Sequence, residues 1–260
     1  MPHFYISDVI ITEKQHIINR KDFQMRIDKF TAEQTGISRA DAKALIKRRQ
    51  VVVNGSPVTS GDVHIDPDND EIIISGKHIN YREHLYIMLN KPAGTVCAVK
   101  DELSPTVLQL IPEELRRKGL FPAGRLDKDT EGFVFITDDG ALAHKMLSPR
   151  SHVEKEYEVT LEKPATEAMK ELFASGITID GGEKCMPAEM IFTEDSHIIR
   201  LIICEGKYHQ VKRMAEAAGN KVTFLKRVRI GGISLDPNLP LGECREIMHK
   251  EMLNLYTKRG

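Results

Sequence analysis

Residues 124 to 133 read GRLDKDTEGF and set three carboxylates, Asp127, Asp129 and Glu131, beside two cations, Arg125 and Lys128, just ahead of the apolar run Phe133-Val134-Phe135-Ile136. A carboxylate in a loop directly before an apolar strand is held on a rigid mount, which suits a group that must be positioned rather than mobile; Phe133 to Ile136 would be that strand, closed by a turn at TDDG. If a cation from elsewhere in the chain reaches Asp127, the pairing lowers its pKa and keeps it ionised even when a substrate excludes water. An ionised carboxylate fits attack on an electron-poor carbon or proton abstraction, not acid catalysis. The plainer alternative is that these charges cap and solvate a turn.

Other reaction classes leave no signature. The chain has no Gly-x-x-x-x-Gly-Lys phosphate loop, no dinucleotide glycine fingerprint, no Gly-x-Ser-x-Gly elbow and no His-Glu-x-x-His pair. A glycosidase built on Asp127, Asp129 and Glu131 would set two carboxyls roughly 5 to 9.5 Å apart around a sugar, usually with aromatic platforms. Aromatic residues make up only 6% of the chain and Trp is absent. The cysteines Cys97, Cys185, Cys204 and Cys244 are widely spaced, which reads as buried thiols rather than a disulfide framework or a metal-ligand set.

The elements that must position this chemistry belong to an ordinary globular chain: 260 residues, 29% charged and 41% hydrophobic, enough for one large domain or a small one plus a larger one. No apolar stretch approaches the roughly 20 residues needed to span a bilayer, and no basic-then-apolar leader opens the chain. We therefore expect a cytoplasmic monomer with no membrane partner. The net charge of -1 conceals segregation. Residues 25 to 60 carry seven Lys and Arg against three acids, a surplus of four, and residues 61 to 84 carry six acids against two bases. Residues 205 to 229 again carry seven bases (Lys207, Lys212, Arg213, Lys221, Lys226, Arg227 and Arg229) against two acids, a surplus of five. Such blocks predict two anion-facing surfaces, solvated basic faces being the alternative.

Residues 1 to 24 show no clean period and are left unassigned. From Met25, Ile27, Phe30 and Gln34 recur like one side of a short helix ending at Gly36, and Ser38 caps a second helix whose Ala42, Leu45 and Ile46 share a face. VVVNGSPV then reads as strand, Asn54-Gly55 turn and strand. Beyond a strand at Ile72 to Ile74 and a boundary near residues 78 to 84, the strand LYIMLNKPAG opens a longer region. Its clearest helix spans 165 to 175 with Ala165, Met169, Leu172 and Phe173 on one face, and YHQVKRMAEAAG forms another with Val211, Met214, Ala215 and Ala218 inward. The short turns between strands predict an α+β fold with a mixed, largely antiparallel sheet and helices packed on it.

Three ordered pieces, RIDKF, SRADA and VVVNG, resemble the S4 RNA-binding domain, whose basic residues here would be Arg26, Lys29, Arg39, Lys43, Lys47 and Arg48. AGRLDKDTEGFVFITDDGALAHKMLSPRSHVEKEYEV and EGKYHQVKRMAEAAGNKVTFLKRVRIGGISL resemble the RsuA family of pseudouridine synthases over Met25 to about residue 250. The resemblance implies an S4 domain at about 25 to 80 and a synthase domain at about 81 to 252. It also implies isomerisation of an rRNA uridine by base flipping, without metal or organic cofactor. MLSPRSHVEKEYEV and IGGISL point to small-subunit rRNA, large-subunit rRNA being the alternative within the family and a non-catalytic rRNA-binding assembly factor the alternative outside it. By the same resemblance Asp127 is the catalytic aspartate, acting either by addition to the nucleoside or by removal of the ribose C2′ proton. Tyr157 in KEYEV is the active-site tyrosine that stacks on uracil, and Lys212 in YHQVKRM pairs with the aspartate, Arg213 competing for that assignment. Leu225 is an apolar pocket residue, and Arg125 holds a phosphate or fills the gap left by the extruded base. Neither Asp129 nor Glu131 acquires a role. The departures from the family pattern are Ile27, where leucine is usual, and the leading extension.

Overall fold

The computed structural model describes residues 23–257, so the extension expected over residues 1 to 24 falls almost wholly outside the described residues. The chain forms two compact units. One runs to Glu83 and takes in Glu113–Lys118, and the other comprises His84–Pro112 and the chain from Gly119 onward. The excursion of Glu113–Lys118 has no counterpart in a linear division at residue 80. It is held within the first unit by Arg117, which donates to the carbonyls of Arg82 and Glu83 at 2.9 Å each.

The first unit follows its local signals. Helix α1 (Ile27–Thr35) ends at Gly36, whose φ of 73° and whose approach to the Arg116 carbonyl, 2.3 Å from where a Cβ would stand, admit only glycine. Helix α2 (Arg39–Lys47) is capped by Ser38, which accepts from the Asp41 amide at 3.1 Å. Strand β1 (Met25–Arg26) pairs with β4 (His64–Ile65), while β2 (Val51–Val53), β3 (Ser56–Pro57), β5 (Ile72–Ile74) and β6 (Lys77–His78) form a sheet in the order β3-β2-β5-β6. Positive φ at both Asn54 and Gly55 gives the tight turn the sequence predicts. Ile27, Phe30, Ile46, Val51, Ile65, Ile72 and Ile74 make the core. Gln34, expected on the inner side of α1, instead exchanges two hydrogen bonds with the Arg82 backbone at 3.0 and 3.1 Å.

The second unit is built on a nine-stranded sheet. Its strands are β7 (Tyr86–Lys91), β8 (Phe121–Pro122), β9 (Glu131–Thr137), β10 (Lys155–Leu161), β11 (Glu189–Phe192), β12 (Ile198–Ile203), β13 (Val222–Ile230), β14 (Ile233–Ser234) and β15 (Cys244–Glu246). The order is β11-β12-β10-β13-β9-β7-β15, with β14 on β13 and β8 on β9. Every pairing is antiparallel except β9 with β13, the mixed, largely antiparallel sheet expected. Helices α3 (Gly140–Leu147), α4 (Glu167–Ser175), α5 (Gln210–Ala217) and α6 (His249–Met252) accompany it.

Strand β9 is central and buried from Gly132 to Thr137, which is why its sequence is a continuous apolar run rather than an alternating one. Gly132 has a φ of 99°, and a Cβ there would lie 2.2 Å from the Arg227 carbonyl oxygen. Only glycine permits the parallel contact of β9 with β13 at this point, immediately after the acidic loop.

Four expectations are corrected. The turn expected at TDDG is the start of α3, with the Asp139 side chain accepting from the Leu142 amide at 2.9 Å. Helix α4 begins only at Glu167, capped by Thr166, so Ala165 lies outside it, and Leu172 is 44% exposed rather than packed beside Met169 and Phe173. Of the cysteines, only Cys185 is buried, the other three being half-buried. The basic stretch 205 to 229 faces outward only in part, at Lys221 and Lys226. Arg227 and Arg229 are buried, with Arg227 donating to the Phe133 carbonyl at 2.8 Å and Arg229 paired with Glu156 and Glu154 at 2.8 and 3.0 Å. Lys207 pairs with Glu205 and Arg213 with Asp180 and Glu183. Most of the stretch is thus neutralised within the unit.

Candidate active site

The loop Leu126–Thr130 carries Asp127 between β8 and β9, and four anchors hold it. The Thr130 amide donates to the Asp127 carbonyl at 3.1 Å, and the Gly94 amide to the Lys128 carbonyl at 2.8 Å. The Leu126 amide donates to Cys97 Sγ at 3.4 Å. The fourth anchor is Lys91, a fully buried lysine at the end of β7. Its Nζ donates to the carbonyls of Pro92 at 3.1 Å, Lys128 at 3.2 Å and Thr130 at 2.7 Å. Burial pushes the Lys91 pKa down, with nearby acids opposing that shift. The backbone around Asp127 is therefore fixed at several points, two of them through the buried Lys91 and Thr130.

The cation that reaches Asp127 comes from α5. Lys212 Nζ lies 3.1 Å from Asp127 Oδ2 and donates to Asp129 Oδ1 at 2.6 Å. Burial lowers the Lys212 pKa, but hydrogen bonds to Asp129 and Asp127 and their charges more than offset this, so its pKa stands above the ordinary lysine value. Lys212 holds the Asp129 carboxyl below its usual range through the same hydrogen bond. Asp129 is 73% exposed against 24% for Asp127, so the Asp127 contact is the less screened of the two. Arg213, the competing candidate, turns to Asp180 and Glu183 and the Tyr208 carbonyl instead. Neighbours on a helix point about 100° apart, so one partner at Asp127 excludes the other.

Asp127 lines a pocket together with Arg125, Tyr157, Leu225 and His209. Tyr157 lies on β10 and Leu225 on β13, strands that pair antiparallel, and both side chains are buried. Arg125 is exposed at the pocket edge. A carboxylate beside a buried aromatic ring and an aliphatic wall, with a cation at its back, is equipped to hold a flat uncharged ring over a nucleophile or base.

Two participants, His209 and Lys91, were not singled out from the sequence, and a third, Asp129, was given no role there. His209 Nε2 lies 3.5 Å from Asp127 Oδ1, Asp129 shares Lys212, and Lys91 clamps the loop. The available signal for Lys91 was a charged residue closing an apolar strand, and for His209 its place beside Lys212 in YHQVKRM. Among the described residues no cluster of His, Cys, Asp and Glu is disposed to hold a metal ion.

In the first unit the expected RNA-binding residues gather at two overlapping places, with Lys29 and Arg48 apart from both. Arg26, Arg39 and Lys43 converge on the buried carboxylate of Asp28 at 3.1, 3.0 and 3.9 Å. Arg26, Lys43 and Lys47 line one shallow depression with Ser60 and Gly61. Lys29 pairs along its own helix with Glu33 at 3.8 Å, and Arg48 is exposed at the end of α2.

Residues 85–217 match the family model described as RNA pseudouridylate synthase, and residues 25–72 match the S4 domain model. The chain is 47% identical over 232 residues to an uncharacterised RNA pseudouridine synthase of Bacillus subtilis, covering 88% of this chain and 97% of that protein. It is 42% identical over 231 residues to the ribosomal small subunit pseudouridine synthase A of Escherichia coli, covering 89% of this chain and all of the relative. A crystal structure of a pseudouridylate synthase, 42% identical, superposes with a TM-score of 0.62 over 89% of this chain and 99% of that one.

Proposed function

The chain belongs to the RNA pseudouridylate synthase family, in its RsuA branch with an S4 domain, and from that premise we propose that it converts one uridine of small-subunit rRNA, at the 516-type site, to pseudouridine. The observation that carries the reading is the Asp127–Lys212 pair at 3.1 Å, its carboxylate lining the same pocket as Tyr157 and Leu225. The choice of small-subunit rRNA is supported by the name of the Escherichia coli relative, which the alignment covers along its whole length.

In this reading the target uridine leaves its stack, at a cost of a few kcal/mol offset by pocket contacts and by basic surface on the RNA backbone. Tyr157 stacks on the uracil, Leu225 closes the apolar side and Arg125 fills the space the base vacates or holds a phosphate. Asp127 either adds to the nucleoside or removes the ribose C2′ proton, and Lys212 pairs with its carboxylate. The C1′–N1 bond breaks, uracil turns within the pocket, and the C1′–C5 bond forms as Asp127 leaves the nucleoside or returns the C2′ proton; the C5 hydrogen then leaves as a proton and N1 takes one up. Substrate and product are isomers, the proton lost at C5 being matched by the one gained at N1, and excluding water protects the detached base.

Small-subunit rRNA carrying tritium at uracil C5 tests this, because bond formation at C5 expels that hydrogen. Wild type is expected to release about one equivalent per RNA, and Asp127→Ala none, in line with loss of a covalent or base catalyst. Release from large-subunit rRNA alone would move the target to the other subunit. Wild-type and Asp127→Ala proteins that bind rRNA equally and release nothing would leave an RNA-binding assembly factor.

A further inference from the structure

The loop leading into α5 holds an aromatic ring out to solvent. Tyr208 is 70% exposed, yet its ring lies flat on the His209 imidazole, centroids 3.8 Å and planes 18° apart. The backbone beneath is fixed from both sides. Arg213 Nη1 donates to the Tyr208 carbonyl at 3.1 Å, and Arg213 is itself tied to Asp180 and Glu183. The buried Gln210 accepts from the Lys207 amide at 2.9 Å and donates to Glu205 at 2.8 Å. His209 takes a left-handed backbone, φ 48° and ψ 33°, a conformation uncommon outside glycine and found where surrounding contacts over-determine it.

The same imidazole lies 3.5 Å from the Asp127 carboxylate, so one ring separates Tyr208 from the reacting position. Lys207 and His209, on either side of Tyr208, both line the Asp127 pocket. One face of the phenol ring is occupied by His209, and the exposed remainder stands beside the pocket. A rigid aromatic face in this place is unnecessary for folding, since little of it is buried, and it suits a flat π-ligand.

We propose that Tyr208, backed by His209, is a stacking platform for the nucleobase adjoining the target uridine, an RNA-binding residue outside the reaction itself. This rests on the synthase reading above. Stacking of a base on an aromatic ring is sequence-tolerant, so the platform sets the path of the strand into the pocket rather than the identity of the neighbouring base.

The test compares wild type, Tyr208→Leu and Tyr208→Phe on a full-length small-subunit rRNA transcript, by tritium release and, separately, by equilibrium filter binding. Tyr208→Leu is expected to raise both the half-saturating and the half-binding transcript concentration about five- to a hundredfold. The loss should lie there rather than in the saturated rate, and Tyr208→Phe, which restores the ring without its hydroxyl, should recover most of it. Tyr208→Leu behaving as wild type, or Tyr208→Phe failing as badly as Tyr208→Leu, would overturn the platform. Wild type that binds the transcript but releases no tritium would sink the synthase reading alone, and the binding arm would still decide the role of Tyr208.

Discussion

The two basic stretches carry nearly the same surplus of charge and use it in opposite ways. In the first unit Arg26, Arg39 and Lys43 gather on Asp28, yet each keeps 42 to 57% of its side chain exposed while Asp28 keeps 1%. One buried anion organises several outward cations, and the surplus remains available to phosphate. In the second unit Arg227 and Arg229 are drawn into the sheet, Arg213 braces a loop, and Lys212 serves the pocket. The difference teaches that a run of like charge along a chain measures what must be compensated, not where it points. The two-residue period of β13 puts Arg227 and Arg229 on its buried face with Leu225 and leaves Lys226 half-buried on the other.

The largest effect should come from cutting an inward cation. Arg229→Met leaves Glu154 and Glu156 without their shared partner in a nearly dry setting, and should destabilise the synthase unit by about 3 to 5 kcal/mol. Urea denaturation measures it, and a change no greater than that of a surface lysine would break the contrast between the two stretches. Next comes Lys212→Met, expected to lower single-turnover tritium release about a hundred- to a thousandfold while RNA binding holds. If Arg213→Ala proved the more damaging to the saturated rate, the assignment of the aspartate's partner would be reversed.

Asp28→Asn should cost the first unit about 1 to 3 kcal/mol. Burial alone raises the Asp28 pKa, but hydrogen bonds from Arg26 and Arg39 and their charges leave it below the ordinary aspartate value. The stabilisation from ionised Asp28 is therefore fully present above the unfolded carboxylate pKa and is lost as pH falls through the lower folded value. Thermal midpoints followed from neutral pH into the acid range should show that loss in wild type and a smaller one in Asp28→Asn; parallel curves would count against it. The smallest effect belongs to Lys47→Gln. It should leave stability unchanged and reduce the salt dependence of rRNA binding by about one unit of slope. An unaltered slope would mean that the outward surplus of the first unit does not meet the RNA backbone.

Much of the small unit could be read directly because its signals are local. Ser38 caps α2 through the amide three residues on, Asn54-Gly55 closes a turn between adjacent strands, and Gly36 stops α1 within one turn of its last apolar residue. The apolar run at β9 was equally plain. Where local signals compete, reading failed: Asp138-Asp139-Gly140 suits a turn and a helix start alike, and only the chain beyond it, Ala141 to Leu147 folding back as α3, selects the second. The face of α4 drifted for the same reason, since Leu172 fits an apolar stripe but stays 44% exposed.

The candidate site divides along the same line. Residue types alone marked Asp127 and its rigid mount, and likeness to a known family suggested Tyr157, Lys212 and Leu225 as its companions. That Lys212 and not Arg213 faces Asp127 follows from how α5 is rotated by its buried Val211, Met214 and Ala215. That Lys91 clamps the loop follows from the register of β7 against β9, and that His209 joins the tyrosine platform to the carboxylate follows from a backbone twist at the start of α5. Caps, turns and periods act over a few residues and are written in order along the chain. Ion pairs across the sheet depend on register and packing, which arise only when distant segments compete for the same buried surface, and there the tertiary structure alone decides.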